Sequence, residues 1–141
     1  MSSYYKVVKQ NANGDYCSAI LSGPLSIQCG ITIKYMLNEW VKPNIPRSQI
    51  LVFSNKVDAK YFVHMQFKYS SQKMLIFECE VKNPSTSGMF AVASPRYVAK
   101  MWHAYNNQQS GITYTQYLSE EIPKGTIWAD EIKLIREVCP D

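Results

Sequence analysis

The run of residues 74–81 constrains the fold of this chain more than any other segment. It reads Met-Leu-Ile-Phe-Glu-Cys-Glu-Val, so it is apolar apart from two acidic residues near its end. A short apolar run of this kind is typical of a strand in the interior of a sheet. Glu78 and Glu80 alternate with apolar residues and are expected to point away from the core. The chain is therefore expected to fold around a sheet with this run near its centre.

Further strands are expected on both sides of this run. Residues 4–9 and 16–21 are β-prone, and Asn13-Gly14 between them supplies the positive φ angles of a tight turn, which predicts a hairpin. Pro43 and Pro46 forbid regular ladder pairing, so residues 38–47 are expected to form an ordered loop in which Trp40 covers the core edge. The other predicted strands are 31–36, 49–53, 89–93, 125–128 and 131–138.

The first of two predicted helices begins after residue 55. Asn55 is a good helix cap, and Asp58 lies three residues on, near the positive end of the helix dipole. The helix is expected to continue through Phe67. Its core-facing side is predicted to carry Val57, Phe62 and Met65.

The second predicted helix begins at Ser94-Pro95, a capping hydroxyl followed by a proline at the first helical position. It is expected to end near residue 107. Helical spacing places Val98, Met101, Trp102 and Tyr105 on one apolar face. The opposite face carries Arg96, Lys100, His103 and Asn107.

These elements predict an α+β fold, a largely antiparallel sheet with two main helices, in a single compact domain covering residues 1–141. The 141 residues fall in the usual range for one domain, and 46% of them are hydrophobic. No run approaches the roughly 18 apolar residues of a membrane span, and the amino-terminal residues lack the apolar core of a signal peptide. We expect a cytosolic protein.

Composition and motifs favour binding over catalysis. The four cysteines, at 17, 29, 79 and 139, are scattered without a Cys-x-x-Cys pair, which predicts buried free thiols and no metal site. The only histidines are His64 and His103, and neither lies in a catalytic motif. Glu78 and Glu80 are either two solvated strand residues or a paired-carboxylate site. The net charge of +4 suits a small anionic ligand better than a nucleic-acid polymer.

The start of the second helix is the most promising place for a ligand. The backbone N–H groups after Ser94 and the guanidinium of Arg96 are donors for a phosphate. Phe90, with Tyr97 or Trp102, offers a surface on which a base stacks. The alternative is a plain capped helix whose aromatic residues belong to the core.

Several segments together resemble a family of small phage and prophage proteins that counteract the bacterial Thoeris defence. The resemblance spans nearly the whole chain, and its motifs are strand and turn patterns without a catalytic signature. It is carried by Tyr5-Lys6-Val7-Val8-Lys9, Tyr16-Cys17-Ser18-Ala19-Ile20, Glu39-Trp40-Val41-Lys42-Pro43, Leu51-Val52-Phe53 with Asp58-Ala59 and Phe62, Ile76-Phe77-Glu78-Cys79-Glu80-Val81, and Gly125-Thr126-Ile127-Trp128-Ala129-Asp130 with residues 132–138.

The resemblance implies a molecular sponge in the host bacterial cytoplasm. Members of that family sequester cyclic ADP-ribose isomers, and some capture cyclic oligonucleotides, without degrading them; they are homo-oligomers with ligand pockets at protomer interfaces. We therefore expect no enzyme activity, no cofactor, no membrane and no DNA or RNA partner.

No family binding motif matches this chain residue by residue, so the predicted ligand-binding residues are chosen by their chemistry. They are Arg96, Phe90, Arg47, Trp40, Ser94 and Lys100. Two other functions stay open: a nucleotide-converting enzyme of the ADP-ribosyl-transfer type, and a phage-borne protein-interaction module.

Overall fold

A computed structural model describes residues 3–19, 32–44, 48–67, 73–86 and 124–138. This part of the chain contains eight strands and one helix. They are β1 (Tyr4–Gln10), β2 (Tyr16–Ser18), β3 (Lys34–Tyr35), β4 (Trp40–Val41), β5 (Ile50–Phe53), α1 (Lys56–Phe67), β6 (Lys73–Lys82), β7 (Thr126–Ala129) and β8 (Glu131–Glu137).

All eight strands belong to one antiparallel sheet. Six of them follow the order β3-β2-β1-β6-β8-β4, and β5 pairs with both β1 and β7. An isolated bridge between Ser85, just after β6, and Trp128 in β7 completes a circuit of pairings through β1, β6, β7 and β5. The sheet therefore curls on itself, and β6 lies between β1 and β8 as its longest strand.

The predicted fold class, α+β with two main helices, is wrong, because the structure is largely β. Within the described residues, the curled sheet encloses most of the core with its own side chains, and the single helix covers only part of one sheet face. Residues 89–107, where a further strand and the second helix were predicted, lie outside the described residues.

The larger core cluster lies on one face of the sheet. It consists of side chains from six strands that are almost entirely removed from water: Val8, Tyr35, Ile50, Val52, Phe77, Cys79, Ala129, Ile132 and Leu134. Full burial of one such aliphatic side chain contributes roughly 1.5–3 kcal/mol. This cluster is therefore stabilised mainly by contacts between strands.

The helix α1 packs on the opposite face of the sheet. Asn55 caps it as predicted, since its Oδ1 accepts a 2.8 Å hydrogen bond from the Asp58 backbone N–H. The predicted packing face is confirmed for Phe62 but wrong for Val57 and Met65, which are exposed. Ala59 and Val63 join Phe62 in contact with the sheet, beside Val7, Phe53 and Ile76.

Of the remaining predictions, those for the strands within the described residues are confirmed and the one for the loop is wrong in part. The first hairpin is present, with Gly14 at φ 91°, although Asn13 does not share the positive φ. The strands predicted at 31–36, 49–53, 125–128 and 131–138 correspond to β3, β5, β7 and β8, of which β3 is much shorter. The loop predicted at 38–47 is wrong in part, since Trp40 and Val41 form β4.

Candidate functional site

One predicted ligand-binding residue, Trp40, lies within the described residues. It belongs to the edge strand β4, where its direct cross-strand neighbour is Lys133 of β8. The side chain remains 39% exposed, which leaves a large aromatic surface open to solvent. The other five predicted residues, Arg47, Phe90, Ser94, Arg96 and Lys100, lie outside the described ranges.

Two lysines lie against the indole ring of Trp40. The Nζ atom of Lys82 is 4.5 Å from the ring centroid, and that of Lys133 is 5.1 Å from it. Both distances fall within the roughly 6 Å at which an ammonium group is attracted by the negative face of an aromatic ring. Trp40 thus has two ammonium groups close to its ring at an exposed edge of the sheet.

The register of β6 and β8 explains why these lysines meet. The sequence contains Glu80-Val81-Lys82 in β6 and Glu131-Ile132-Lys133 in β8, and the antiparallel register pairs Glu80 with Lys133 and Lys82 with Glu131. The Lys133 Nζ lies 3.0 Å from Glu80 Oε2, and the Lys82 Nζ lies 3.6 Å from Glu131 Oε1. We call Trp40, Lys82, Lys133, Glu80 and Glu131 the Trp40 patch.

The Trp40 patch carries no net charge. Its two ammonium groups and two carboxylates sum to zero charge, and the side chains are exposed or half-buried. Ion pairs in such positions contribute at most about 1 kcal/mol each to stability. Because so little free energy is lost when these pairs separate, the lysines can exchange their carboxylates for another anion.

Sequence analysis missed Lys82 and Lys133 as site residues. Two Glu-x-Lys triplets in strands that pair antiparallel place opposite charges face to face, and this signal was present in the sequence. It could not be used without the strand order, because residues 40, 82 and 133 are far apart along the chain.

Glu78 does not form a paired-carboxylate site with Glu80. Its Oε2 accepts a 2.7 Å hydrogen bond from Arg136 Nε, and its Oε1 accepts one from Ser3 Oγ at 3.2 Å. The Arg136 hydrogen bond lowers the pKa of Glu78. A general acid requires a raised pKa, so the arrangement disfavours that role.

A second group of ionisable residues lies on the core side of the sheet. Lys6 Nζ donates a 2.8 Å hydrogen bond to the Leu51 carbonyl oxygen and lies 5.7 Å from the ring centroid of buried Tyr35. Burial lowers the pKa of Lys6 to about 8, although the nearby Cys79 partly opposes this. Burial also raises the pKa of Tyr35 and raises that of Cys79 to about 12.

Two cysteines and one histidine lie within the described ranges. Cys17 and Cys79 are buried and free, as predicted. Burial raises the pKa of both thiols, which disfavours the reactive thiolate. His64 is exposed on α1. Cys29, Cys139 and His103 lie outside the described part of the chain.

No helix among the described residues has the length and apolar character needed to cross a membrane. Within the same residues, no group of three or more His, Cys, Asp or Glu side chains is arranged to hold a metal ion.

Comparison with known proteins gives no relative: no family model, no curated protein and no solved structure matches the chain.

Proposed function

We propose that the protein binds a small anionic nucleotide and sequesters it without chemical change. The observation that carries this proposal is the exposed indole of Trp40 with the ammonium groups of Lys82 and Lys133 within about 5 Å of its ring. An aromatic face suits a planar base, because stacking of a base on such a ring is favourable whatever the base. Ammonium groups beside it suit the phosphates of the same molecule.

The proposed ligand class is cyclic ADP-ribose and its isomers, with cyclic oligonucleotides as a further class. This choice follows from the resemblance to the phage anti-Thoeris family, whose members hold such signals. Such a molecule combines a purine with a pyrophosphate, and Trp40 and its lysines complement both parts. Sequestration in the host bacterial cytoplasm would keep the signal from its immune effector.

The resemblance further supports a homo-oligomer with the ligand at protomer interfaces. Trp40 lies on an edge strand, where a neighbouring protomer can approach it. Arg47, Phe90, Ser94, Arg96 and Lys100 remain the predicted residues that complete the site.

No catalytic step is included in the proposal. The hydrogen bond from Arg136 lowers the pKa of Glu78, and burial raises the thiol pKa values of Cys17 and Cys79. Both shifts work against acid catalysis and nucleophilic attack.

Calorimetric titration with cyclic ADP-ribose isomers, followed by heat release of the bound nucleotide and chromatography, tests the proposal. Tight binding with the nucleotide recovered unchanged is the expected result. Recovery of an altered nucleotide would instead establish an enzyme, and the absence of binding would leave the protein-interaction alternative.

A further inference from the structure

A β-bulge in β8 determines the direction of the Arg136 side chain. Strict alternation along the strand would place Arg136 on the face of the sheet opposite Lys133, because an odd number of positions separates them. The register with β6, however, shifts between Glu78 and Cys79 and leaves Ile135 without a partner in that strand. The extra residue brings Arg136 to the face of the sheet that carries Lys133.

The ion pair between Arg136 and Glu78 places the guanidinium beside the Trp40 patch. Arg136 Nε donates a 2.7 Å hydrogen bond to Glu78 Oε2. Glu78 and Glu80 point to the same face of β6, so their pairs with Arg136 and Lys133 are successive on that face, about 7 Å apart along the strand. Trp40 is the neighbour of Lys133 on the other side of β8. Arg136 is therefore one cross-strand pair away from the indole ring.

The guanidinium of Arg136 keeps donors for a ligand. Its side chain is 71% exposed, and within the described part of the chain it hydrogen-bonds only to Glu78, through Nε. The two Nη groups therefore remain for another acceptor. Their planar fork matches two oxygens of one phosphate group. Such a phosphate binds without displacing the Glu78 carboxylate from Nε.

We infer that Arg136 is a phosphate-binding residue of the proposed nucleotide site, with the base stacked on Trp40 and a phosphate on the Nη groups of Arg136. The inference rests on the proposed function, since Trp40 fixes where the base lies. It adds a residue that distinguishes a nucleotide from the corresponding nucleoside. The bulge that directs Arg136 agrees with this role, because bulges are frequent beside functional sites, where they redirect a side chain.

The test compares cyclic ADP-ribose with adenosine, which offers the same base without a phosphate. Each is titrated calorimetrically into the wild type, Arg136→Gln and the control Lys73→Gln. Lys73 is exposed at the opposite end of β6 from Lys82, so the control removes an equal charge far from the patch. Arg136→Gln should remain folded, because an exposed ion pair contributes little to stability. Thermal unfolding verifies this.

We expect Arg136→Gln to weaken the binding of cyclic ADP-ribose by about tenfold, the lower end of the effect of a hydrogen bond to a charged group. Its affinity for adenosine should equal that of the wild type, because no phosphate contact is lost. Lys73→Gln should bind both ligands like the wild type.

Failure of the inference differs from failure of the proposed function. Wild-type affinity of Arg136→Gln for cyclic ADP-ribose overturns the inference and leaves the proposed function intact. An equal loss of affinity in Lys73→Gln also overturns it, since the effect would then be one of net charge. An equal loss for adenosine has the same meaning, because the phosphate would not be involved. No binding of cyclic ADP-ribose to the wild type overturns both.

Discussion

The Lys6 ammonium group is placed on the core side of β1, where it donates to the Leu51 carbonyl oxygen and faces the ring of Tyr35. Most lysines in a sheet extend their ammonium group into water. Here burial lowers the pKa of Lys6 from 10.5 to about 8, because the charged form is poorly solvated in the folded protein. The free energy of unfolding must therefore depend on pH.

The sign of this dependence follows from proton binding. Between about pH 8 and 10.5, Lys6 is protonated in the unfolded chain but largely neutral in the folded protein. Stability contributed by Lys6 therefore rises with pH over this window, by up to about 3 kcal/mol in total. Tyr35 and Cys79 act in the opposite direction at higher pH, since their pKa values are raised on folding.

Substitution of Lys6 separates its contribution to the pH dependence of stability from those of Tyr35 and Cys79. We predict that the free energy of unfolding of Lys6→Met, relative to the wild type, falls by about 2 kcal/mol between pH 7.5 and pH 9.5. Urea denaturation at the two pH values measures this difference. Lys73→Met, at an exposed position of β6, is the matched control for loss of a positive charge. If the difference in free energy of unfolding between Lys6→Met and the wild type did not change with pH, the pKa of Lys6 would not be lowered by folding.

The junction between α1 and β7 restricts which residue can stand at position 125. Gly125 has φ 83°, and its carbonyl oxygen accepts a 2.8 Å hydrogen bond from the Ser54 backbone N–H. A Cβ atom built on Gly125 would collide with the side chain of Asp58 in the first turn of α1. A glycine is therefore required here for two reasons, the positive φ and the close approach.

Gly14, in the turn of the first hairpin, has the positive φ of Gly125 without the close approach. Its φ is 91°, but a Cβ built on it has no neighbouring atom within 4 Å. We predict that Gly14→Ala destabilises the protein by about 1–3 kcal/mol through the backbone alone. Gly125→Ala should be destabilised further, because Asp58 must also move. Equal midpoints of thermal unfolding for the two variants would show that the collision is relieved at no cost.

The sequence predicted individual helices and strands correctly where their start or turn depends on neighbouring residues. Asn55 followed by Asp58 predicted the start of α1, and Gly14 predicted the first hairpin, because capping and positive φ depend on neighbouring residues. They failed for β4, which is only two residues long and therefore has no periodicity to detect. The exposed face of α1, with Val57 and Met65, was also missed, since the sheet contact selected Ala59 and Val63 instead.

Whole-molecule features depend on strand order, which no local pattern encodes. The curled sheet arises because β5 pairs with both β1 and β7, and the α+β prediction overlooked this closure. For the same reason, Trp40 was predicted as a site residue from its chemistry, while Lys82 and Lys133 were not identified. Contacts among residues 40, 82 and 133 exist only once β4, β8 and β6 lie side by side.

We predict that the protein forms a homo-oligomer in solution. The chain mass is 16.2 kDa, and light scattering coupled to size-exclusion chromatography should give the mass of two or more chains. A ligand that binds between protomers also stabilises the assembly, so dissociation on dilution should decrease when cyclic ADP-ribose is present. A mass of one chain under both conditions would exclude binding between protomers.

The proposed role of Trp40 in holding the base of a nucleotide is tested most directly by titration of the wild type and three variants with cyclic ADP-ribose. Trp40→Ala removes the proposed stacking surface, and Tyr61→Ala removes an exposed aromatic ring from α1 as a control. Lys82→Met provides a second variant of the patch, and thermal unfolding verifies that every variant is folded.

Because one stacked base contributes about 1–3 kcal/mol, Trp40→Ala should weaken binding by roughly 5- to 150-fold. Lys82→Met should also weaken it, whereas Tyr61→Ala should bind like the wild type. Wild-type affinity in a folded Trp40→Ala protein would show that the base does not stack on Trp40.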